Sequence, residues 1–246
     1  MTKRIALVTG GTGGIGSAIC TALADSGMRV VAGYSNEEKA KAWQAEQHLA
    51  GYEFLIAQVD VTSLESCEAC VKRVIELAGG YIDVLVNNAG ITRDSVFKKM
   101  DWDQWHAVLS TNLDSAFNMT RPVILDMLDK GYGRIINISS LNGQKGQFGQ
   151  SNYSAAKAGL HGFTKALAQE TARNGVTVNT ISPGYVLTPM VAKIDPVVQD
   201  KICAQIPVGR MGHPEEIGRA VAFLADEQGG YITGANLSIN GGQHMY

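Results

Sequence analysis

Short β-rich runs alternate with longer helical stretches along most of the chain, and this alternation constrains the fold more than any other feature. Strands that alternate with helices form βαβ units, whose right-handed crossovers place helices on both faces of one parallel sheet. The predicted strands are Arg4–Val8, Arg29–Ala32, Phe54–Val59, Val84–Val86, Arg134–Ile138, Val176–Ile181 and Asn236–Ile239. The sequence therefore predicts an α/β fold with a doubly wound sheet of about seven parallel strands.

The predicted helices occupy the intervals between these strands. They cover Ile15–Ala24, Glu37–Leu49, Leu64–Leu77, Asp103–Leu128, Tyr153–Ala172 and Glu215–Ala225. No linker-like or repetitive segment divides the chain, so residues 1–246 are expected to form a single domain. Residues 187–207 interrupt the alternation, and we expect them to act as a substrate lid over the binding cleft.

Composition excludes several classes of protein. Hydrophobic residues make up 45% of the chain and charged residues 18%, which excludes a disordered protein. The formal net charge of -2 gives no support for a nucleic-acid-binding face or a basic membrane tether. No apolar run approaches the ~18 residues of a membrane span, and the N-terminus lacks a cleavage-like site. We therefore expect a cytoplasmic protein with reduced thiols that binds neither nucleic acid nor a membrane.

A glycine-rich loop, Thr9-Gly-Gly-Thr-Gly-Gly-Ile-Gly16, follows the first predicted strand and precedes the first helix. Glycines permit a tight turn and the close approach of a pyrophosphate, and a helix N-terminus offers free N–H groups and a positive dipole. This strand–loop–helix context is typical of a dinucleotide-binding Rossmann fold. The loop residues predicted to bind the cofactor are Gly10, Thr12, Gly13, Gly14, Ile15 and Gly16.

The end of the second strand indicates which dinucleotide is bound. An acidic residue there, about 20 residues after the glycines, would bind the ribose 2′-hydroxyl of NAD. The sequence instead reads Gly-Tyr-Ser-Asn, with no carboxylate to repel a 2′-phosphate. Ser35 and Asn36 can donate hydrogen bonds to such a phosphate, and Lys39 and Lys41 add positive charge nearby. The sequence therefore favours NADPH/NADP+, with Tyr34 and Ser35 among its contacts.

Tyr153 and Lys157 stand four residues apart near the start of a predicted helix, so they share one helix face. An ammonium group beside a phenol lowers the pKa of the phenol, which suits proton transfer to a carbonyl oxygen. Ser140 follows the fifth strand, at the sheet edge where α/β proteins bind ligands. Asn112 lies inside the long fourth helix, where asparagine is not favoured.

Together these motifs resemble the classical short-chain dehydrogenase/reductase family, over essentially the whole chain. The resemblance implies that Tyr153 exchanges a proton with the substrate, while Lys157 lowers the pKa of Tyr153 and binds the nicotinamide ribose. It implies that Ser140 holds the substrate carbonyl oxygen and that Asn112 positions a water molecule linking Lys157 to solvent. Further cofactor-binding residues implied by it are Asp60, Val61, Asn87, Ala89, Gly90, Pro183, Gly184, Val186 and Thr188. Members of this family usually form homotetramers.

Residues 141–150 connect two of the catalytic positions and are expected to form a loop beside the substrate. This glutamine-rich segment, Pro183-Gly184-Tyr185 and the ending Asn240–Met245 are similar to the acetoacetyl-CoA reductases of polyhydroxyalkanoate synthesis. The resemblance implies NADPH-dependent reduction of acetoacetyl-CoA, an acyl-CoA thioester, to (R)-3-hydroxybutyryl-CoA. The implied substrate contacts are Asp94, Ser140, Gln147, Phe148, Gln150, Tyr153 and Tyr185.

Two other functions remain open. A 3-oxoacyl-acyl-carrier-protein reductase of fatty acid synthesis has the same fold and chemistry, but places basic residues beside its cleft for an acidic partner. Those positions fall here on Gly131 and Asn174, beside Lys130 and Arg173, which slightly favours a CoA thioester. A non-catalytic dinucleotide-binding sensor would lack the catalytic side chains, all of which are present.

No metal site is expected. Cys67 and Cys70 form a C-x-x-C motif within a predicted helix, but no second pair accompanies them. The five histidines show no ligand spacing with acidic residues or cysteines.

Overall fold

All seven strands run parallel in one sheet in the computed structural model, which describes residues 3–189, 191–193 and 195–245. They are β1 (Ile5–Val8), β2 (Arg29–Tyr34), β3 (Leu55–Gln58), β4 (Val84–Asn87), β5 (Gly133–Ile138), β6 (Val176–Pro183) and β7 (Asn236–Ile239). Their order is β3-β2-β1-β4-β5-β6-β7. The strand order reverses between β1 and β4, so the sheet has a ligand-binding crevice at their carboxyl ends. The predicted doubly wound α/β fold is confirmed.

The helices connect these strands across both faces of the sheet. They are α1 (Gly14–Asp25), α2 (Glu37–Leu49), α3 (Leu64–Ala78), α4 (Trp102–Leu109), α5 (Ser115–Lys130), α6 (Leu141–Lys145), α7 (Ser151–Thr171), α8 (Pro196–Cys203) and α9 (Pro214–Ala225). The helix predicted over Asp103–Leu128 is divided into α4 and α5 by a π-helical segment, Ser110–Asp114. The short helices α6 and α8 lie in segments predicted as loop and lid.

Neighbouring residues of each strand pack against opposite faces of the sheet, as the two-residue period of a strand requires. Leu7 and Leu85 pack with α3 and α5, whereas Val8 and Val86 pack with α1 and α9. All four side chains are fully buried. Because helices cover both faces of the sheet, the central strands are apolar at successive positions. Short apolar runs in the sequence therefore predicted these strands.

The helices on the second face approach one another closely. A Cβ atom on Gly218 of α9 would overlap the carbonyl oxygen of Ala18 in α1, so glycine is required at this crossing. The tight contact fixes the position of α1, whose N-terminus faces the crevice. Within the described part of the chain, no helix has the length and hydrophobicity needed to cross a membrane.

Candidate active site

The glycine-rich loop between β1 and α1 has a conformation that only small residues permit. Gly10 has a positive φ of 61°, which an L-residue with a side chain rarely adopts. A Cβ atom on Gly16 would overlap the carbonyl oxygen of Gly10, and one on Gly11 would lie 2.8 Å from the Cβ of Ala32. The first turn of α1 therefore packs directly on the loop, and the loop packs directly on β2.

Asn88 holds this loop in place, a role that its position in the sequence did not indicate. Its Nδ2 donates to the carbonyl oxygens of Thr9 at 2.9 Å and Gly10 at 3.2 Å. The backbone N–H groups of Asn88 and Ala89 both donate to the hydroxyl of Thr9. The loops after β1 and β4 are thus bound together on either side of the crevice.

The loop and the start of α1 fit a pyrophosphate. The N-cap residue of α1 is Gly13, so no side chain caps the N–H groups of the first turn. This turn also contains no acidic residue. The helix therefore keeps backbone N–H groups and a positive dipole for an anion. A Cβ atom on Gly14 would lie 3.0 Å from the Cβ of Thr188, which brings the segment after β6 against this helix start.

The end of β2 carries no negative charge, as the sequence indicated. Tyr34 is half-buried and Ser35 is exposed. Asn36 is the N-cap of α2, and its side-chain oxygen accepts the backbone N–H of Lys39 at 2.9 Å. Lys41 forms an ion pair with Glu37 at 2.7 Å, so part of its charge is neutralised within α2. The nearby amide and hydroxyl groups remain suited to a 2′-phosphate.

The segment after β3 lies at the same edge of the sheet. The carboxylate of Asp60 accepts hydrogen bonds from the backbone and the hydroxyl of Thr62, which lower the pKa of Asp60. The carbonyl oxygen of Val61 accepts from Asn118 at 3.0 Å. Both predicted residues are thereby fixed next to the ends of β2 and β3.

Ser140 and Tyr153 come together across the turn that follows β5. Ser140 is the N-cap of α6, where its hydroxyl accepts the backbone N–H of Asn142 at 3.1 Å. It is also hydrogen-bonded to Tyr153, which lowers the pKa of the phenol. Burial of the phenol raises its pKa by more than this hydrogen bond lowers it, and the negative charge of Asp94 raises the pKa further. The net result is a raised pKa for Tyr153.

Lys157 is almost completely buried beneath Tyr153. Its Nζ donates to the carbonyl oxygen of Ile138 at 2.8 Å and lies 5.7 Å from the centre of the Tyr153 ring. Burial lowers the pKa of Lys157 to about 8. Burial of the phenol dominates the pKa of Tyr153 in this structure, and the lowering of that pKa by Lys157 stays a prediction.

Asn112 lies in the π-helical segment between α4 and α5. Its side chain donates to the carbonyl oxygens of Ile91 and Val108, both at 2.9 Å, and accepts the backbone N–H of Ile91 at 3.2 Å. A Cβ atom on Gly90 would lie 2.5 Å from the Asn112 oxygen and 3.6 Å from Lys157 Nζ. Asn112 therefore lies against Gly90, on the same side as Lys157, while it holds the loop after β4.

Asn87 is placed differently from its neighbours in the same motif. Its side chain is buried and donates to Asn137 at 2.8 Å, beneath the sheet edge. Asn137 in turn donates to Thr164 of α7 at 2.9 Å. The structure therefore directs the Asn87 side chain into a polar network between the sheet and α7, away from the glycine-rich loop.

The segment 141–150 begins with helix α6 and then continues as an irregular connection to α7. Lys145 donates to Gln147 at 3.3 Å, and Phe148 is 86% exposed. Gln150 donates to Asp94 at 2.8 Å, which brings together two predicted substrate residues that are distant in the sequence. These side chains border Ser140 on the open side of the crevice.

The segment after β6 forms the opposite side. Pro183 is the last residue of β6, and the backbone N–H of Gly184 donates to Ile239 at 2.9 Å. A Cβ atom on Gly184 would lie 2.8 Å from the Cα of Asn240. Val186 is buried and pairs with Gly212. Tyr185 is directed towards a small cavity that Val208 and Gly241 also line.

The two turns at which carrier-protein reductases have basic residues lie at the end of the sheet opposite the crevice. Lys130 ends α5 and Arg173 follows α7, both at the amino ends of the strands. Tyr153 is near the start of α7, whose 21 residues span roughly 30 Å. Within one chain these turns are therefore not beside the cleft, contrary to expectation.

Among the described residues, no group of three or more histidine, cysteine or acidic side chains is arranged to hold a metal ion. Cys67 and Cys70 lie buried in α3, where burial raises the pKa of their thiols, to about 12 and about 11. Neither group is therefore poised as a thiolate nucleophile.

Comparison with known proteins agrees with this arrangement. The family model described as short chain dehydrogenase matches residues 4–198. An acetoacetyl-CoA reductase of Cupriavidus necator is 56% identical over 246 residues, covering 100% of both chains. Nodulation protein G of Azospirillum brasilense is 55% identical over 243 residues, and a 3-oxoacyl-(acyl-carrier-protein) reductase of Vibrio cholerae is 44% identical over 242 residues. Each of these two alignments covers 98% of both chains.

The chain belongs to the short-chain dehydrogenase family. It is accordingly an oxidoreductase that uses a nicotinamide dinucleotide.

Proposed function

We propose that the protein reduces acetoacetyl-CoA to (R)-3-hydroxybutyryl-CoA with NADPH, for polyhydroxybutyrate synthesis. One observation carries this proposal: Ser140, Tyr153 and Lys157 are assembled beside the glycine-rich loop in a chain that is 56% identical, over its full length, to an acetoacetyl-CoA reductase. The same three side chains argue against a non-catalytic dinucleotide sensor.

In this proposal the 3-oxo group of the substrate lies between Ser140 and Tyr153. The Ser140 hydroxyl accepts from Asn142 and donates its one proton to Tyr153, and this proton would turn to the carbonyl oxygen when substrate is bound. Tyr153 has a raised pKa and is protonated at neutral pH, so it can give its proton to the oxygen as negative charge develops there. The bound reduced nicotinamide supplies the hydride.

Lys157 serves two purposes in the proposed reaction. Its buried ammonium group would bind the ribose hydroxyls of the cofactor while it remains anchored on the Ile138 carbonyl. Its pKa of about 8 also allows it to return a proton to Tyr153 near neutral pH. Asn112, which adjoins it, would hold the water molecule through which Lys157 exchanges protons with solvent.

The cofactor would lie along the crevice from the end of β2 to Thr188. The residues proposed to hold it are Gly10, Thr12, Gly13, Gly14, Ile15, Gly16, Tyr34, Ser35, Asp60, Val61, Asn87, Ala89, Gly90, Pro183, Gly184, Val186 and Thr188, with Tyr153 and Lys157. NADPH is favoured over NADH because the end of β2 is uncharged and carries hydroxyl and amide donors. Asn87 would contribute through its backbone, since its side chain is directed into the buried network.

The acyl-CoA would enter on the side of the crevice opposite the glycine-rich loop. Asp94, Gln147, Phe148 and Gln150 border this side, Tyr185 would contact the substrate from the segment across the crevice, and the exposed ring of Phe148 offers an apolar surface to the pantetheine arm. Residues 187–207 would close over the bound substrate as a lid. Val197 and Val198 on α8 are exposed and would give this lid an apolar surface, while residues 190 and 194 of the lid lie outside the described residues. We further propose a single-domain, cytoplasmic homotetramer.

A carrier-protein thioester is the second candidate, since the Vibrio cholerae relative bears that name. It shares the reacting groups and differs only in what carries the acyl chain.

The proposal is tested by incubating the purified protein with acetoacetyl-CoA and either NADPH or NADH. We expect (R)-3-hydroxybutyryl-CoA, identified by chiral chromatography, and a clear preference for NADPH in kcat/KM. The (S) product or no product would refute the proposed reaction. Equal use of NADH would refute only the cofactor preference.

A further inference from the structure

A chain of hydrogen bonds leads from Asp94, on the loop after β4, to the hydroxyl of Ser140. The carboxylate of Asp94 accepts from Gln150 Nε2 at 2.8 Å, and Gln150 Oε1 accepts from Asn142 Nδ2 at 2.9 Å. The backbone N–H of Asn142 donates to Ser140 Oγ at 3.1 Å. The loop after β4 and the stretch 140–150 are therefore both linked to one catalytic hydroxyl.

The order of donors and acceptors in this chain is fixed by the charge at its start. An ionised carboxylate only accepts hydrogen bonds, so Asp94 forces the amide of Gln150 to present its NH2 group. The oxygen of the Gln150 amide then faces Asn142, which must present its own NH2 group in turn. The side chain of Asn142 is thus held in one orientation, which anchors the first turn of α6, and the backbone N–H of Asn142 in this turn donates to Ser140.

Helix α6 depends on contacts of this kind. It has five residues, too few to be stable through its own hydrogen bonds. A Cβ atom on Gly143 would lie 2.8 Å from the carbonyl carbon of Lys157, so α6 packs closely on α7. The backbone N–H of Ser95 also donates to the Gly149 carbonyl at 2.9 Å, which ties the loop after β4 to the same segment.

Because Ser140 Oγ accepts a hydrogen bond from Asn142, one of its acceptor sites is occupied. Its single proton is then left to donate towards Tyr153 or a carbonyl oxygen. If Asn142 moved, the hydroxyl could rotate and accept from Tyr153 instead, which would orient the proton away from the substrate. The orientation of Ser140 thus depends on a residue that does not touch the reacting atoms.

We propose that Asp94, Gln150 and Asn142 are positioning residues that together hold the Ser140 hydroxyl in the orientation needed for carbonyl reduction. The proposal deepens, and rests on, the reductase function given above. It assigns Asp94 and Gln150 a role besides contact with substrate, and it adds Asn142 to the functional residues.

The test compares Asp94→Asn, Asn142→Leu and the double variant with the unaltered protein. An asparagine at 94 can present either end of its amide, so the fixed order of donors is lost, and leucine at 142 removes the side-chain donor. We expect each single variant to lower kcat about tenfold while KM for acetoacetyl-CoA changes less than about twofold. Since all three residues act through one chain, the double variant should be no slower than the slower single variant.

Two controls separate this effect from general changes in charge and surface. Asp103→Asn removes a carboxylate from an exposed position on α4, and Gln169→Leu removes an amide from an exposed position on α7. Both should retain kcat and KM within about twofold. NADPH binding should also be unchanged in all variants.

Three results would overturn the proposal. A higher KM with unchanged kcat would show that Asp94 acts as a substrate contact. If the fold-loss of kcat in the double variant equalled the product of the two single losses, the residues would act independently. Unchanged kcat in Asn142→Leu would show that the chain has no role in catalysis.

A second measurement needs no turnover and therefore distinguishes failure of this proposal from failure of the proposed function. The crystal structure of Asp94→Asn should show Ser140 Oγ displaced or in two rotamers. If the unaltered protein reduces a different 3-oxo substrate, the kinetic series is repeated on that substrate with the same expectations. An unmoved Ser140 side chain would contradict the proposal whatever the substrate.

Discussion

The ammonium nitrogen of Lys157 lies 2.8 Å from the carbonyl oxygen of Ile138, the last residue of β5. This hydrogen bond holds a buried cation at the end of the strand that leads directly to Ser140. No carboxylate of the described residues forms an ion pair with Lys157, and burial disfavours its charge, which lowers the pKa of Lys157 to about 8. The buried charge of Lys157 thus lowers the stability of the folded protein, although the proposed reaction requires it.

We predict that Lys157→Met raises the stability of the protein and abolishes its activity. Methionine fills similar space without a buried charge, although it loses the bond to Ile138. The expected gain in the free energy of unfolding at pH 7 is on the order of 1–3 kcal/mol. Denaturant unfolding of both proteins measures it, and a destabilised variant would contradict the prediction.

The stability difference should also depend on pH. The pKa of Lys157 is about 8 in the folded protein, against an ordinary lysine value of 10.5. Between these values the unfolded chain binds more protons, so the penalty from Lys157 diminishes as pH rises. The advantage of Lys157→Met should therefore shrink steadily from pH 8 to pH 10. If the difference in the free energy of unfolding grew between pH 8 and pH 10, the prediction would be wrong.

Tyr153→Phe should lower kcat by roughly 10³-fold, because the variant has no proton to give to the carbonyl oxygen. NADPH affinity, measured by fluorescence titration, should remain within about twofold. Tyr231→Phe is the control, since Tyr231 is fully exposed and lies outside the site. Substantial turnover by Tyr153→Phe would remove Tyr153 from the mechanism.

The two directions of the reaction should respond oppositely to pH. The raised pKa of Tyr153 keeps the phenol protonated at neutral pH. Reduction should therefore proceed across neutral pH and slow as pH rises through this pKa. Oxidation of 3-hydroxybutyryl-CoA requires the deprotonated form and should accelerate in the same range. Reduction that accelerated with rising pH would contradict the assignment of Tyr153 as the acid.

Two glycine substitutions should separate cofactor binding from helix stability. Gly16→Ala places a methyl group against the Gly10 carbonyl and should weaken NADPH binding at least about tenfold. Gly162→Ala in α7 meets no atom within 4 Å and should stabilise the protein by about 0.5–1 kcal/mol, without affecting affinity. Equal NADPH affinity in the two variants would show that the loop does not need close backbone approach.

The sequence predicted all seven strands, because central parallel strands are apolar on both faces and end at recognisable turns. It did not predict α6 or the π-helical segment that presents Asn112. Both depend on tertiary contacts, such as Gly143 against Lys157, rather than on the local preferences of their residues. Boundaries of the longer helices were predicted more closely, since their periodic apolar faces extend over several turns.

The sequence named the residues of the candidate site but not the directions of their side chains. Spacing places Lys157 beside Tyr153 without showing that its ammonium group is directed to Ile138. In the same way, the Asn87-Asn88 pair marks the end of β4. Only the structure shows that Asn88 holds the glycine-rich loop while Asn87 faces the interior. Such directions are set by packing among distant segments, which a single sequence does not reveal.

The most direct test of the proposed function measures NADPH oxidation with acetoacetyl-CoA and with acetoacetyl-carrier protein at matched concentrations. Both substrates present the same acetoacetyl group to Ser140 and Tyr153. The ratio of their kcat/KM values therefore measures the enzyme's preference for CoA or for the carrier protein. We predict a much higher kcat/KM for the CoA thioester. A strong preference for the carrier protein would contradict the proposal and assign the enzyme to fatty acid synthesis.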